Sequence, residues 1–397
     1  MGVKMSKKQS WNLIAVFLIL IFGFALATIL GPDRERSELE NRTLAQKPKV
    51  SLESIIDGSF ESGYEDYLTD QFIFRDTWVT MKTNIDRMLG ENKINDVYFA
   101  DDHYLIEAHT NTFTADRAQT NIQLLSSFMN KISREYDSQH ATVMIVPNAV
   151  DILKDKLPAF ASPYNEEDYI KEISASLPDG VFYNTSSVLA EHADEDIYYR
   201  TDHHWKTLGA FYAFRGWAQK AGLGEVRADD YTVETVSEDF SGTVAARVGI
   251  GNIKDSIQIY HPKDEPELVL TYNNSDDVRH TMYQESQLDT HDQYGVFFGG
   301  NTGLIEIKKE AGEEAASSGR AAPDSGTGRR ILVIKDSYAN CFIPFLTDHF
   351  DETDVVDLRC YVNSLSDLMA QKKYTDVLVL YNAAGFAEEA NLGKLGT

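Results

Sequence analysis

The sequence predicts an α/β fold built on a parallel sheet and tied to a membrane at its N-terminus. Three observations carry that prediction. Near the C-terminus ILVIKDS (Ile331 to Ser337), DVVDLRC (Asp354 to Cys360) and DVLVLYN (Asp376 to Asn382) are nearly continuous apolar runs separated by helical stretches. Such runs mark strands buried on both faces of a parallel sheet. Further upstream, ATVMIVP (Ala141 to Pro147) is a strand of the same kind, ended by a proline. At the start, Leu13 to Leu30 is an uncharged run close to the length of a membrane span.

The N-terminal elements follow in order. Lys4, Lys7 and Lys8 precede the apolar run, and Asp33, Arg34, Glu35 and Arg36 follow it. Lysines before a span place residues 1–12 in the cytoplasm, 13–30 across the membrane and the rest outside the cell. Ala25-Leu26-Ala27 is an alternative signal-peptidase site, with cleavage after Ala27 releasing the domain. Residues 31–95 read as a polar linker with Pro32 and Pro48, then a helical segment around Trp78 to Leu89.

The main domain is expected over 96–397. Ile122, Leu125, Phe128, Met129, Ile132 and Tyr136 recur at helical spacing before the Ala141 strand. A helix is predicted over Glu166 to Leu177, short strands near Val181 to Tyr183 and Ile197 to Tyr199, and a helix over Thr207 to Ala221. Residues 223–301 read as a β-rich insertion, with strands at Ser256 to Pro262, Leu268 to Asn274 and Tyr294 to Asn301. Residues 309–329, rich in Ala, Gly, Ser and Glu, read as a flexible surface loop.

Composition narrows the function. The 397 residues are 43% apolar, enough to fill a core, and the net charge of −25 argues against nucleic acid as a partner. No Cys-x-x-Cys or zinc-spaced His/Cys cluster occurs, so neither a metal nor a cofactor is expected. Cys341 and Cys360 lie in apolar stretches and read as buried thiols, with a disulfide between them left open.

Two clusters bear chemistry. Ser337 ends an apolar strand, where functional groups gather in parallel sheets, and the following helix would aim backbone N–H groups at an oxyanion. The bland alternative is that Asp336 or Ser337 caps that helix. Asp202-His203-His204-Trp205 supplies what a serine nucleophile needs, an imidazole base and a carboxylate to orient it. Its alternatives are a capping aspartate with surface histidines, or a two-histidine metal site lacking a third ligand. Asn382 and the Tyr338 backbone N–H are candidate oxyanion donors, although Asn also favours strand-end turns for local reasons.

Asp202-His203-His204-Trp205, preceded by Arg200-Thr201 and followed by Gly209-Ala210, resembles the DHHW proteins. These are relatives of the alginate O-acetylation proteins within the SGNH hydrolase-like superfamily. Glu40-Asn41-Arg42, Asp70-Gln71-Phe72, Arg75-Asp76, Val97-Tyr98-Phe99 and Asp336-Ser337-Tyr338-Ala339-Asn340 extend the resemblance over residues 37–385. It implies an α/β/α sandwich with circularly permuted motif order, the Asp/His block before the serine block. It implies Ser337 as nucleophile, His204 as base, Asp202 as its orienter and Asn382 as oxyanion residue. The serine block reads Lys-Asp-Ser where the family more usually has Gly-Asp-Ser. The activity implied is serine-dependent O-acetyl transfer or ester hydrolysis on a cell-envelope or secreted polysaccharide. A multi-span membrane protein would supply the acetyl groups. The other reading is a non-catalytic polysaccharide-binding or assembly protein that keeps the fold and stacks tyrosines on sugars.

Overall fold

A computed structural model of the chain describes residues 6–37, 39, 40, 42–273, 275, 276, 278–310 and 328–396. Most of the expected 309–329 loop therefore lies outside the described residues. The chain forms two compact units, one comprising residues up to Glu91 with Ala246–Gly251, the other Asn92–Ala245 with Asn252 onward.

In the first unit, helix α1 (Lys7–Leu30) begins at Ser6, whose hydroxyl accepts from the Gln9 N–H while Gln9 reaches back to the Ser6 N–H. Its 24 residues extend roughly 36 Å, and the helix is long and apolar enough to cross a membrane. The helices α2 (Ser59–Asp70) and α3 (Arg75–Met88) follow. Few apolar residues are buried in this unit, and polar contacts hold its irregular segment instead. Asp70 accepts from Arg42 through both carboxylate oxygens, at 2.8 and 2.5 Å, and from the Ala45 N–H at 2.7 Å. Arg34 pairs with Asp76 at 2.8 Å, Arg75 pairs with Glu40, and the Gln71 amide brackets the Arg34 backbone. The scattered family-like blocks of residues 40–76 thus meet in one ion-pair network.

The second unit is organised by an eight-stranded sheet. In chain order its strands are β1 (Ala141–Val146), β2 (Phe182–Tyr183), β5 (Leu268–Tyr272), β6 (Val278–Arg279), β7 (Leu304–Lys309), β8 (Arg330–Lys335), β9 (Glu352–Val356) and β10 (Asp376–Asn382). The intervening β3 (Tyr231–Phe240) and β4 (Asp255–Pro262) pair with each other as a separate antiparallel hairpin. The spatial order of the large sheet is β6-β5-β7-β9-β8-β10-β1-β2. The pairs β9–β8, β8–β10, β10–β1 and β1–β2 are parallel, so the three C-terminal runs and the Ala141 strand share one sheet as expected.

Alternation along these strands divides the core in two. Met144, Val146, Ile331, Val333, Leu378 and Leu380 face Trp205, Phe211, Phe214 and Trp217. Val143, Ile145, Leu332, Ile334, Val377 and Val379 face Ile122, Leu125, Phe128, Ile170 and Ile173. Apart from Trp205, which precedes the last of them, these facing residues come from the helices Asp116–Ile132, Glu166–Ser176 and Thr207–Lys220.

The structure departs from expectation in several places. The 223–301 region is not uniformly an insertion, because β5 and β6 join the central sheet antiparallel through β7. Tyr294 to Asn301 is no strand but a 3₁₀ turn (Gln293–Val296) and loop, since Gly299 and Gly300 adopt positive φ and end extended structure. The residues after the serine form short 3₁₀ turns, Ser337–Cys341 and Ile343–Leu346, the second containing Pro344. Both cysteines are free thiols, and Cys360 is exposed where it was expected to be buried.

Candidate active site

Three strand ends converge. Ser337 stands two residues beyond the end of β8, Asn382 ends β10, and Asn148 follows β1 by two residues. These are carboxyl ends of parallel strands, where open α/β sheets place their sites. The Asp202–Trp205 segment reaches the same edge from a bend before the helix Thr207–Lys220. That bend is pinned where Tyr198 bridges Trp205. Gly209 allows the helix to approach, because a Cβ there would lie 2.8 Å from the Ile197 carbonyl oxygen.

The four residues of the motif have distinct partners. Asp202 Oδ1 sits 2.5 Å from His204 Nδ1, and His204 Nε2 sits 2.7 Å from Ser337 Oγ. The His203 carbonyl accepts from the Tyr338 hydroxyl. The buried Trp205 indole donates to the Tyr338 carbonyl at 2.8 Å. Asp202 Oδ2 accepts from the Thr243 N–H at 2.9 Å and its hydroxyl at 3.0 Å. The His203 ring lies 3.9 Å from the His204 ring, centroid to centroid, with its Nδ1 2.9 Å from Thr243 Oγ1. Asp202 and His204 are buried while Ser337 is partly open, so the nucleophile candidate can be reached from outside.

Electrostatics suit a base. Burial pushes the His204 imidazole down to about 4, the charge of His203 adds to this, and Asp202 opposes it. Burial alone would raise the Asp202 carboxyl. The neighbouring His203 and His204 and the Thr243 N–H hold it well below the usual carboxylate range. Asp202, His203 and His204 also bring ligand atoms within 4.8 Å of one another, which raises the question of a metal. Both ring nitrogens of His204 are already engaged by Asp202 and Ser337, an arrangement that fits a relay.

The two expected oxyanion donors are differently employed. The Asn382 amide donates to Asp336 Oδ2 at 2.7 Å, and the Tyr338 backbone N–H donates to Asp336 Oδ1 at 2.9 Å. The cause is the buried Asp336 carboxyl, which takes N–H groups from both residues because an unpaired buried carboxylate is costly. Even so, burial pushes it up to about 6. Asn382 Oδ1 in turn accepts from the Gly385 N–H and from Asn148 Nδ2.

Sequence reasoning passed over Asn148, Gly242, Thr243 and Tyr294. Asn148 donates to the Tyr338 hydroxyl at 3.2 Å and to Asn382 at 3.0 Å, joining all three strand ends. Its position beyond the ATVMIVP strand was a usable signal, the same one that singled out Ser337. Gly242 and Thr243 offer none, because they reach Asp202 only through tertiary structure.

A mainly parallel α/β sheet carries an Asp/His block that precedes the strand-end serine in the chain. The chain belongs to the DHHW family, whose model ("DHHW protein") matches residues 124–356 and so spans both blocks. A DHHW family protein from Eubacterium siraeum is similar in structure, with 24% identity and a TM-score of 0.61 over 77% of this chain and 96% of that one. PatB1 of Bacillus cereus, solved with a sulfonyl adduct, shares 19% identity with a TM-score of 0.56 over 74% of this chain and 98% of its own. At these identities the likeness is one of fold. No curated protein matches the chain.

Proposed function

We propose that the protein is a membrane-anchored, extracytoplasmic serine O-acyl (acetyl) transferase or esterase acting on a cell-envelope or secreted polysaccharide. The observation that carries this reading is the hydrogen-bonded series Asp202–His204–Ser337, whose last two members lie 133 positions apart in the chain. Nothing local obliges that pair to meet. Ser337 Oγ attacks the acyl carbonyl while His204 Nε2 takes its proton, and Asp202 holds the imidazole in the required tautomer. The collapsing intermediate expels the donor alcohol, which receives the proton from His204. A sugar hydroxyl, or water in hydrolysis, then gives its proton to His204 and attacks the acyl-enzyme, and Ser337 leaves reprotonated. Acetyl as the acyl group, polysaccharide as the acceptor and a multi-span membrane protein as the donor partner come from the family resemblance.

The polysaccharide-binding alternative relied on exposed tyrosines. Most of the tyrosines are buried, among them Tyr198, Tyr199, Tyr338 and Tyr381. The decisive test incubates the full-length chain in detergent with a chromogenic acetyl ester and with phenylmethanesulfonyl fluoride. Turnover lost in Ser337→Ala, and a sulfonyl label mapped to Ser337, are expected. An unlabelled serine together with unchanged turnover in Ser337→Ala would overturn the reading. Topology is checked separately: protease added to protoplasts should digest the main domain, and full protection would refute its external placement.

A further inference from the structure

Tyr294 belongs to the YGVFFGGN stretch that was expected to form a strand, and no step of the proposed chemistry uses it. It sits in the 3₁₀ turn Gln293–Val296 and is buried. Its ring lies on the His204 imidazole with centroids 3.9 Å apart and planes within 16° of parallel. Its hydroxyl donates to the Ser337 carbonyl at 3.1 Å. Phe297 and Tyr199 pack against the same ring, at 5.3 and 6.2 Å.

We infer that Tyr294 is a positioning residue, holding the His204 ring and the Ser337 turn in register for proton transfer. This rests on the acyl-transfer reading of the same site. The in-plane contacts of His204, to Asp202 and Ser337, fix the direction of its two nitrogens but resist tilting of the ring only weakly. The Tyr294 face, nearly parallel to the imidazole, supplies that restraint; the His203 ring, also at 3.9 Å, is tilted by 36°. The electron-rich face also favours the imidazolium formed when His204 accepts the serine proton. The hydroxyl works on the other partner: by binding the Ser337 carbonyl it fixes the turn from which Oγ projects. One side chain thereby contacts both residues between which the proton moves, the imidazole at its face and the serine at its backbone carbonyl. An error there of about 1 Å costs on the order of 100-fold in rate.

The test compares Tyr294→Phe with Tyr294→Leu in the full-length chain. Readouts are the second-order rate of Ser337 sulfonylation by phenylmethanesulfonyl fluoride, ester kcat and KM, and the thermal midpoint. In the labelling step Ser337 Oγ bonds to sulfur, fluoride leaves and His204 takes the proton, so the rate reports the pair without needing the natural substrates. Phe keeps the ring and loses the hydroxyl, and its labelling rate should fall by about three- to fivefold. Leu keeps an apolar cover without the ring, and its rate and kcat should fall by about 100-fold with KM little changed. Rescue by Phe of what Leu loses, at similar thermal midpoints, is the result expected. Equal rates in Leu and wild type, or equal losses in Phe and Leu, would overturn the inference and leave the function standing. A wild-type Ser337 that resists labelling, with turnover unchanged in Ser337→Ala, would instead overturn the function itself.

Discussion

Gly242→Ala is the most demanding perturbation of this site, because position 242 carries no chemistry of its own. An added Cβ would lie 2.3 Å from both Cβ and Oδ2 of Asp202, and 2.7 Å from its Cγ. Ordinary van der Waals contact begins near 3.4 Å, so one partner must give way by about 1 Å. If Asp202 moves, His204 loses the contact that sets its tautomer. If the backbone at 242 moves instead, Thr243 is carried off and Asp202 Oδ2 loses two hydrogen bonds. A displacement of that size costs on the order of 100-fold, or about 2.7 kcal/mol of barrier. Loss of the orienting carboxylate altogether sets an upper bound of about 10⁴-fold. The assay is kcat on a chromogenic acetyl ester, with thermal unfolding measured alongside so that loss of fold is not mistaken for loss of function. A Gly242→Ala protein that folds and retains kcat within threefold of wild type would show that Asp202 does not orient a working base.

The pH dependence follows from burial of His204. With its imidazole pushed down to about 4, the base is neutral at pH 5, so the acidic limb of kcat/KM should fall well below the 6.5 of a free histidine. A limb at 6.5 or above would refute that placement. The same depression makes the His204 contribution to stability fully present above about 6.5 and lost as pH falls through about 4, visible as a falling thermal midpoint. Ser337→Ala and His204→Ala should each cost orders of magnitude and the double variant little more, whereas His203→Ala should be milder; additive losses would contradict a coupled pair. Lys335 is buried, with its ammonium on Asn301 at 3.1 Å, Asn340 at 2.8 Å and Asp357 at 3.4 Å. Lys335→Met should therefore cost about 1–3 kcal/mol in denaturant unfolding, by leaving the Asn340 and Asn301 amide oxygens without their donor while Asp357 keeps Arg359, and unchanged stability would refute it.

The parallel sheet was legible because its strands are buried on both faces and so are nearly continuously apolar, a pattern independent of distant context. The Ser337–His204 pairing was legible for a different reason, since each residue type needs the other for its chemistry. The antiparallel half of the sheet was not. β5 reads as a strand but β7 goes unmarked in the sequence, and the order β5-β7-β9 depends on pairings that no local pattern encodes. Tyr294 was misassigned because YGVFFGGN has the composition of a strand. Its two glycines take positive φ, which overrides that preference. The surroundings of the two expected oxyanion donors turn on one residue: Asp336 caps the turn after β8, as its sequence position suggests, and being buried it also accepts from the Asn382 amide.

That last point alters how the site is best understood. The turn after β8 is too short for a helix dipole to hold a charge, and the serine is fixed by side chains instead. Asp336 binds Asn382 and the Tyr338 N–H; Asn148 binds Asn382 and the Tyr338 hydroxyl; the Tyr338 carbonyl and hydroxyl engage Trp205 and His203. In these hydrogen bonds the strand ends reach His203 and Trp205 through Tyr338. In the four-residue motif, Asp202 and His204 provide the relay to Ser337, and His203 and Trp205 grip the residue that follows it. The motif is therefore conjugate to the serine block as a whole. This explains, in physical terms, why two blocks so far apart in sequence are informative only when they are read together.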